Sequence, residues 1–258
     1  MSLKELAPTY HTRLTEVAKE INNPDKLLNA GCGDGLFDYF LKKKAKNLVS
    51  FDINEGDIQI AKALNPDKKI TYYIGTAEKV PYNSDTFDCI ICVDVLEHIK
   101  EDMRAIKELV RVLKKKGKLI ITVPSKNFPL TYDPINYVLN RMGTKLRIGI
   151  WGWGHERLYT PKELANKVNL KIVKTKYLSH PIIGIVENSY VNSLLQRFTK
   201  NDPKNQAKIN KNIDKIKKSV KYKPPKILIK IRDLFIKLDN KIYARSKKSI
   251  GILLVFEK

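Results

Sequence analysis

Short apolar runs alternate, through the first half of the chain, with segments whose apolar residues recur three or four positions apart. Lys26–Ala30 (KLLNA) is a brief apolar run ending in glycines, which predicts a buried strand entering a tight turn. Leu36, Phe37, Phe40 and Leu41 follow at helical spacing before a Lys42–Lys44 cluster suited to a helix C-terminus. Asn47–Asp52 reads as a second strand, Glu55–Leu64 as a helix stopped by Asn65-Pro66, and Ile70–Ile74 as a third strand. Phe87–Val95 (FDCIICVDV) is almost wholly apolar, as a central parallel strand covered on both faces should be. An amphipathic helix with Met103, Ile106, Leu109, Val110 and Leu113 on one face leads through Gly117 to a strand at Lys118–Val123, closed by Pro124. Strand, helix, strand repeated in this way predicts an α/β, doubly wound sheet with helices on both faces.

After Pro124 the rhythm changes. A loop containing Trp, Gly and Pro runs to about Arg157, and Thr160-Pro161-Lys162-Glu163 opens a short helix with a capping box. Leu170–Leu178 and Ile250–Phe256 read as two more strands. Between them lies a Lys-rich helical pattern, clearest after Pro224-Pro225. There Ile227, Ile231, Leu234, Phe235, Leu238 and Ile242 form one stripe, and Lys226, Lys230, Lys237 and Lys241 another. Asn201–Asn212 (NDPKNQAKINKN) is polar enough to predict a mobile link. The expected organisation is one domain: an N-terminal helical segment (1–24), a core (25–180), a basic helical insertion (181–248) and a final strand (249–258).

Charge adds a question about partners. The 258 residues carry 49 Lys and Arg against 27 Asp and Glu, a net +22, and residues 181–258 hold 19 of those basic groups but only 6 acidic ones. An anionic partner follows: nucleic acid, a phospholipid surface or a phosphorylated substrate. Lysine outnumbers arginine 40 to 9, a bias across the whole chain that weakens any argument from charge alone. Three cysteines exclude a disulfide framework, the N-terminus lacks a signal-like apolar region, and no apolar run reaches the ~18 residues of a membrane span. A cytoplasmic protein is expected, with peripheral membrane attachment left open.

The chemistry concentrates in Leu27–Gly35, LLNAGCGDG. Glycines 31, 33 and 35 sit between strand and helix, where missing Cβ atoms let backbone amides approach a ligand. The spacing is G-x-G-x-G, so the dinucleotide fingerprint is not met. Asp52 ends the next strand, where a carboxylate can accept hydrogen bonds from both hydroxyls of a ribose. A nucleoside ligand without a pyrophosphate fits both features.

Together with Gly75–Pro81 (GTAEKVP), Phe87–His98 (FDCIICVDVLEH) and Leu109–Pro124, these residues resemble the class I S-adenosylmethionine-dependent methyltransferases, most closely the type 11 branch that includes quinone-biosynthesis enzymes. The resemblance spans about residues 25–180 in five ordered motifs and implies a Rossmann-like, seven-stranded sheet with a helical insertion before the last strand. It implies S-adenosyl-L-methionine as cofactor. Its methionine portion would lie against Asn29, Ala30, Gly31, Gly33, Gly35, Val93 and Asp94, its ribose against Asp52 and Ile53, and its adenine against Thr76, Ala77 and Glu78. Two positions depart from the family pattern: Asn29 and Thr76 stand where acids are usual, which removes negative charge from the cofactor site.

The implied reaction is in-line displacement at the activated methyl, leaving the protein to align, exclude water and accept a proton. His98, just past the fourth strand, and His155, in WGWGHER, are the candidate catalytic bases, with Glu156 and Arg157 as orienting or anion-binding companions. Tyr10 and His11 are candidates to close the pocket. No metal site is expected: Cys89 and Cys92 would point to opposite faces of a strand, and His11, His98, His155 and His180 show no ligand spacing. The acceptor is expected to be a small molecule, lipid-linked molecule or glycan. An RNA-directed enzyme and a non-catalytic, cofactor-binding partner protein are the alternatives. The basic insertion has three readings: a lid packed on the core, a face lying on an anionic membrane, or a nucleic-acid surface.

Overall fold

The computed structural model describes residues 6–188, 206–221 and 224–258. In chain order its elements are α1 (Pro8–Glu20), β1 (Lys26–Ala30), α2 (Leu36–Leu41), β2 (Asn47–Asp52), α3 (Glu55–Leu64), β3 (Ile70–Ile74), β4 (Phe87–Val93), α4 (Asp102–Val112) and β5 (Leu113–Pro124). There follow α5 (Pro134–Arg141), α6 (Pro161–Val168), β6 (Lys171–Leu178), α7 (Pro181–Val186), α8 (Gln206–Lys221), α9 (Lys226–Ile242) and β7 (Gly251–Glu257). The strands form one sheet in the order β3-β2-β1-β4-β5-β7-β6, with β7 antiparallel to both neighbours and the first five strands parallel.

The unbroken apolar runs in β1, β4 and β5 are explained by cover on both faces. Leu27, Ile91, Ile120 and Val255 pack beneath Leu14 and Val17 of α1, Ile21 just after it, and Leu41 of α2. Leu28, Ile90, Ile121 and Leu254 pack on the other face against Ile106 and Leu109 of α4. Cys89 and Cys92 accordingly fall in opposite layers. The capping box forms as its residues dictate, with Thr160 accepting from Glu163 N–H and Glu163 reaching back to Thr160 N–H.

Several expectations are corrected. The buried face of α4 is Asp102, Ala105, Ile106, Leu109 and Val112; Met103 is exposed, Val110 half-buried, and Leu113 already belongs to β5. The rotation buries Asp102 where Lys167 donates to both its oxygens at 2.8 and 2.6 Å and Tyr159 Oη donates at 2.8 Å. A buried carboxylate with that many donors outweighs the exposure of one methionine. β5 starts at Leu113, paired with Phe87, so Gly117 lies inside the strand, where a Cβ would come within 2.8 Å of the Lys114 carbonyl. The loop after Pro124 contains α5, whose signals are Pro134 at the first position and Asp133 accepting from Asn136 N–H.

The expected mobile link is helical over its second half. Gln206–Asn212 form the first turns of α8, and Ile209 is fully buried where α8 packs against α3. One apolar side chain seated on α3 anchors a segment whose composition is otherwise polar. Positions 201–205 of that link, and 189–205 of the insertion, lie outside the described residues. In α9 the apolar stripe faces outward, with Ile227 60% and Ile242 62% exposed, while Arg232 and Asp239 are buried. The reason lies in α7: Asp239 accepts from the backbone N–H groups of His180, Ile182 and Ile183, satisfying that helix's N-terminus. Among the described residues no helix is long and apolar enough to cross a membrane.

Candidate functional site

The carboxyl ends of β1 and β4 diverge at the point where strand order reverses, and a cleft of about 480 Å³ opens there. The chain leaves β1 through three left-handed glycines: Gly31 (φ +79°), Gly33 (φ +52°) and Gly35 (φ +72°). A Cβ at Gly31 would sit 2.3 Å from Val95 Cγ2, so the turn is pressed against the segment leaving β4. Nothing lies within 4 Å of where a Cβ at Gly33 would be. The amides of Gly31 and Cys32 are tied to the Phe51 carbonyl at 2.9 Å, so the turn is rigid, and its open, side-chain-free stretch at Gly33 lets a ligand lie close to the backbone.

Asp52 faces the turn. Its Oδ2 accepts from Gly33 N–H and its Oδ1 from Asn54 N–H, both at 2.9 Å, which fixes the carboxylate while leaving lone pairs for a diol. Asn29 is buried, and its amide donates to Asp38 Oδ1 at 2.7 Å. Asp38 is wholly buried, and burial pushes its carboxyl up to about 6. The acid missing at position 29 is thus present one residue deeper, on α2, although it does not line the cleft.

Of the residues expected to bind the cofactor, Asn29, Gly31, Gly33, Val93 and Asp94 line the cleft. Asp52 reaches it through Gly33, whereas Ile53 is 77% exposed and Ala77 is buried in the core. Thr76 and Glu78 lie after β3, bonded to each other at 3.3 Å, and Ala30 and Gly35 are held behind the turn. Asp94 itself adopts a left-handed backbone (φ +53°), a strained state for a non-glycine residue. It is held there by Thr122 Oγ1 at 2.9 Å and by Arg13 of α1 at 2.7 Å.

His98 and His155 meet across the cleft with ring centroids 4.9 Å apart. The 3-10 turn Leu96–His98 and the loop around the 3-10 turn Gly149–Trp153 are joined by Glu156 N–H donating to the Glu97 carbonyl at 2.8 Å and by His98 Nδ1 3.3 Å from the Gly154 carbonyl. Between the histidines sits Glu97, buried, with no hydrogen-bond partner for either carboxylate oxygen among the described residues. Burial, then the nearby Asp94, holds its carboxyl well above the usual range. Burial, then His98 and Arg13, lowers His155 to about 3, so its ring is neutral at any physiological pH. Donor atoms of Glu97, His98 and His155, which no spacing in the sequence pairs, lie within 4.8 Å of one another. A carboxylate and two imidazoles form a set that can hold a divalent cation.

The sequence reading missed Arg13, Glu97, Tyr132, Trp153 and Glu187, all in the cleft wall. Arg13 and Glu187 come from distant parts of the chain, and no spacing announces them. Glu97, adjacent to His98 in a segment already singled out, was the one accessible signal. Tyr10 lines the cleft, but His11 does not, and Glu156 and Arg157 line a different concavity.

Residues 28–121 match a family model described as a methyltransferase domain. That segment, a little over a third of the chain, is similar to the class I S-adenosylmethionine-dependent methyltransferases. Curated proteins similar to this chain include a ubiquinone biosynthesis O-methyltransferase of Coxiella burnetii, 31% identical over 129 residues, 49% of this chain and 55% of that protein. Another, from Pelagibacter ubique, is 28% identical over 172 residues, 64% of this chain and 68% of that protein. The match thus spans about half the length of the Coxiella relative. An S-adenosylmethionine-dependent methyltransferase structure from Mesorhizobium loti shares the fold, with a TM-score of 0.57, 15% identity and 98% of each chain covered. The glycine cradle and Asp52 fit the cofactor that this family implies, S-adenosyl-L-methionine.

Proposed function

We propose that this methyltransferase carries a methyl group from S-adenosylmethionine to an oxygen of a small-molecule acceptor held between the Leu96–His98 turn and the Gly149–Arg157 loop. The cofactor, when bound, supplies a methyl activated by a sulfonium. The chain's own part is to bind and to orient. The Gly31–Gly35 turn takes the methionine end, Asp52 the ribose diol, and Thr76 to Glu78 the adenine edge; Arg13, a buried guanidinium beside Asp94, suits the cofactor's carboxylate. The observation that carries this reading is Asp52 turned toward a glycine bend that is open to a ligand.

The acceptor side is supported by three side chains with unpartnered polar atoms on one wall: both Glu97 oxygens, His155 Nδ1 and Trp153 Nε1. Buried polar atoms are satisfied as a rule, so these await a ligand. An oxygen acceptor accords with the name of the curated relatives. His98, exposed at the cleft, is the proton acceptor; His155, whose burial holds it neutral and weakly basic, orients. The unsatisfied Glu97 carboxyl favours a second reading, in which Glu97, His98 and His155 hold a divalent cation that lowers the acceptor hydroxyl's pKa.

Calorimetry with S-adenosylhomocysteine tests the first reading. Binding is expected, weakened about tenfold or more by Asp52→Ala. Absence of binding at about millimolar ligand overturns it. Titration with Mn²⁺ separates the two acceptor-side readings: stoichiometric binding abolished by Glu97→Gln supports the cation, and none supports His98 acting alone.

A further inference from the structure

The loop that carries His155 has a second neighbour. Ile150, Trp153 and His155 line the cofactor cleft, while Trp151, Glu156 and Arg157 of the same loop line a larger groove of about 900 Å³. Six cations surround this groove, Lys126, Arg141, Lys145, Arg157, Lys247 and Lys248, and among the described residues Glu156 is the one acid in its wall. Lys126 is paired with Glu163 at 2.8 Å and Arg157 lies 3.5 Å from Asp102. The other four have no carboxylate partner among the described residues.

A lysine-rich chain has many basic positions, and most of the lysines held in place elsewhere are held by carboxylates. Here the cations are concave and held. The Arg141 guanidinium lies 3.6 Å from the Tyr137 ring centre and the Lys145 ammonium 3.7 Å from that of Trp151, with Lys248 on Tyr137 at 5.9 Å. The rings are fixed in turn. Trp151 Nε1 donates to Asn140 Oδ1 at 3.2 Å, and the loop behind it hangs on two fully buried polar residues. Ile150 N–H donates to Asp133 Oδ2 at 2.7 Å, and Leu146 N–H to Asn136 Oδ1 at 2.9 Å. Buried polar side chains that brace a loop give a pre-formed wall, which reduces the ordering cost of binding.

We propose that this groove binds a diphosphate-bearing small molecule. Four unpaired cations match two linked phosphates of roughly −1 to −2 charge each, and the Arg141 fork suits paired phosphate oxygens. The space exceeds what a bare diphosphate fills, so the ligand carries a further moiety. Phe128, Trp151 and Leu158 in the groove wall supply apolar surface for that moiety. The diphosphate can belong to a nucleotide or to a lipid. This inference does not depend on methyl transfer: cofactor binding is read separately in the same samples.

The test is calorimetry on the full chain with inorganic pyrophosphate as probe, at low and at physiological salt. Binding is expected to weaken about tenfold or more in Lys247→Gln/Lys248→Gln and in Arg141→Gln. It should be unchanged in the distant exposed pair Lys43→Gln/Lys44→Gln, with thermal melting confirming that each variant folds. ADP and farnesyl diphosphate then distinguish the sources, the tighter of the two naming the class of attached group. Equal loss in the distant pair, orthophosphate binding as tightly as pyrophosphate, or no heat at about 10 mM pyrophosphate overturns the proposal.

Discussion

A methyl group added at Gly31 would meet Val95 Cγ2 at 2.3 Å and would also have to accept φ +79°, whereas one added at Gly33 meets open space at φ +52°. The two glycines therefore separate steric from conformational cost. Gly33→Ala is expected to lower stability by about 1 kcal/mol, and Gly31→Ala by several, since the Leu27–Gly35 turn must part from the end of β4. Urea unfolding of the two variants checks the order; equal losses would mean that the turn is not pressed against Val95. Asp38 offers a second contrast. Its carboxyl ionises near 6 in the fold, above an unfolded value near 3.8, so its contribution is full below about pH 4 and is lost as pH rises through 6. Asp38→Asn should therefore gain stability relative to the parent between pH 4 and pH 8, by up to about 3 kcal/mol. A difference that does not vary with pH would sink this account. The tight turn was legible in G-x-G-x-G, whereas nothing in the spacing of Leu36, Phe37, Phe40 and Leu41 singles out Asp38.

Periodicity located most elements because a two-sided core imposes it. Asn47–Asp52, Glu55–Leu64 and Ile70–Ile74 match their predicted bounds, and β4 ends two residues early, where Asp94 turns left-handed. It failed where a long-range polar contact overrides hydrophobic placement. α9 is the clear case: of the readings open for its apolar stripe, packing on the core holds only for Phe235, and Asp239 is drawn inward to cap α7, across 56 to 59 positions of sequence. The turn of helix that buries Asp239 leaves Ile227 and Ile242 outside. Asp239→Ala leaves three N–H groups of the α7 start without an acceptor and is expected to destabilise by about 2–4 kcal/mol, more than Ile242→Ala at an exposed position. Comparable losses for the two variants would show that the stripe, not the cap, fixes α9.

At the scale of the whole molecule, the glycine turn and the acid that faces it were legible because one short segment, Leu27–Gly35, and one residue, Asp52, specify them locally. The rest of the cleft wall was not, because Arg13, Glu97, Trp153 and Glu187 converge on it only through the sheet and the loops above it. That convergence has an energetic signature. Glu97 is buried with both oxygens unpartnered and a carboxyl held well above its ordinary range, so it favours the fold in its protonated form and loses that stabilisation as pH rises. A group selected for stability alone would not remain so. Glu97→Gln is therefore expected to melt higher than the parent at pH 8, with the gap narrowing toward pH 4, while any Mn²⁺ binding at the His98–His155 pair is lost. If the variant instead melts lower at pH 8, Glu97 is a satisfied structural group, and the wall of the cleft that it shares with His155 is scaffolding, with the acceptor held elsewhere.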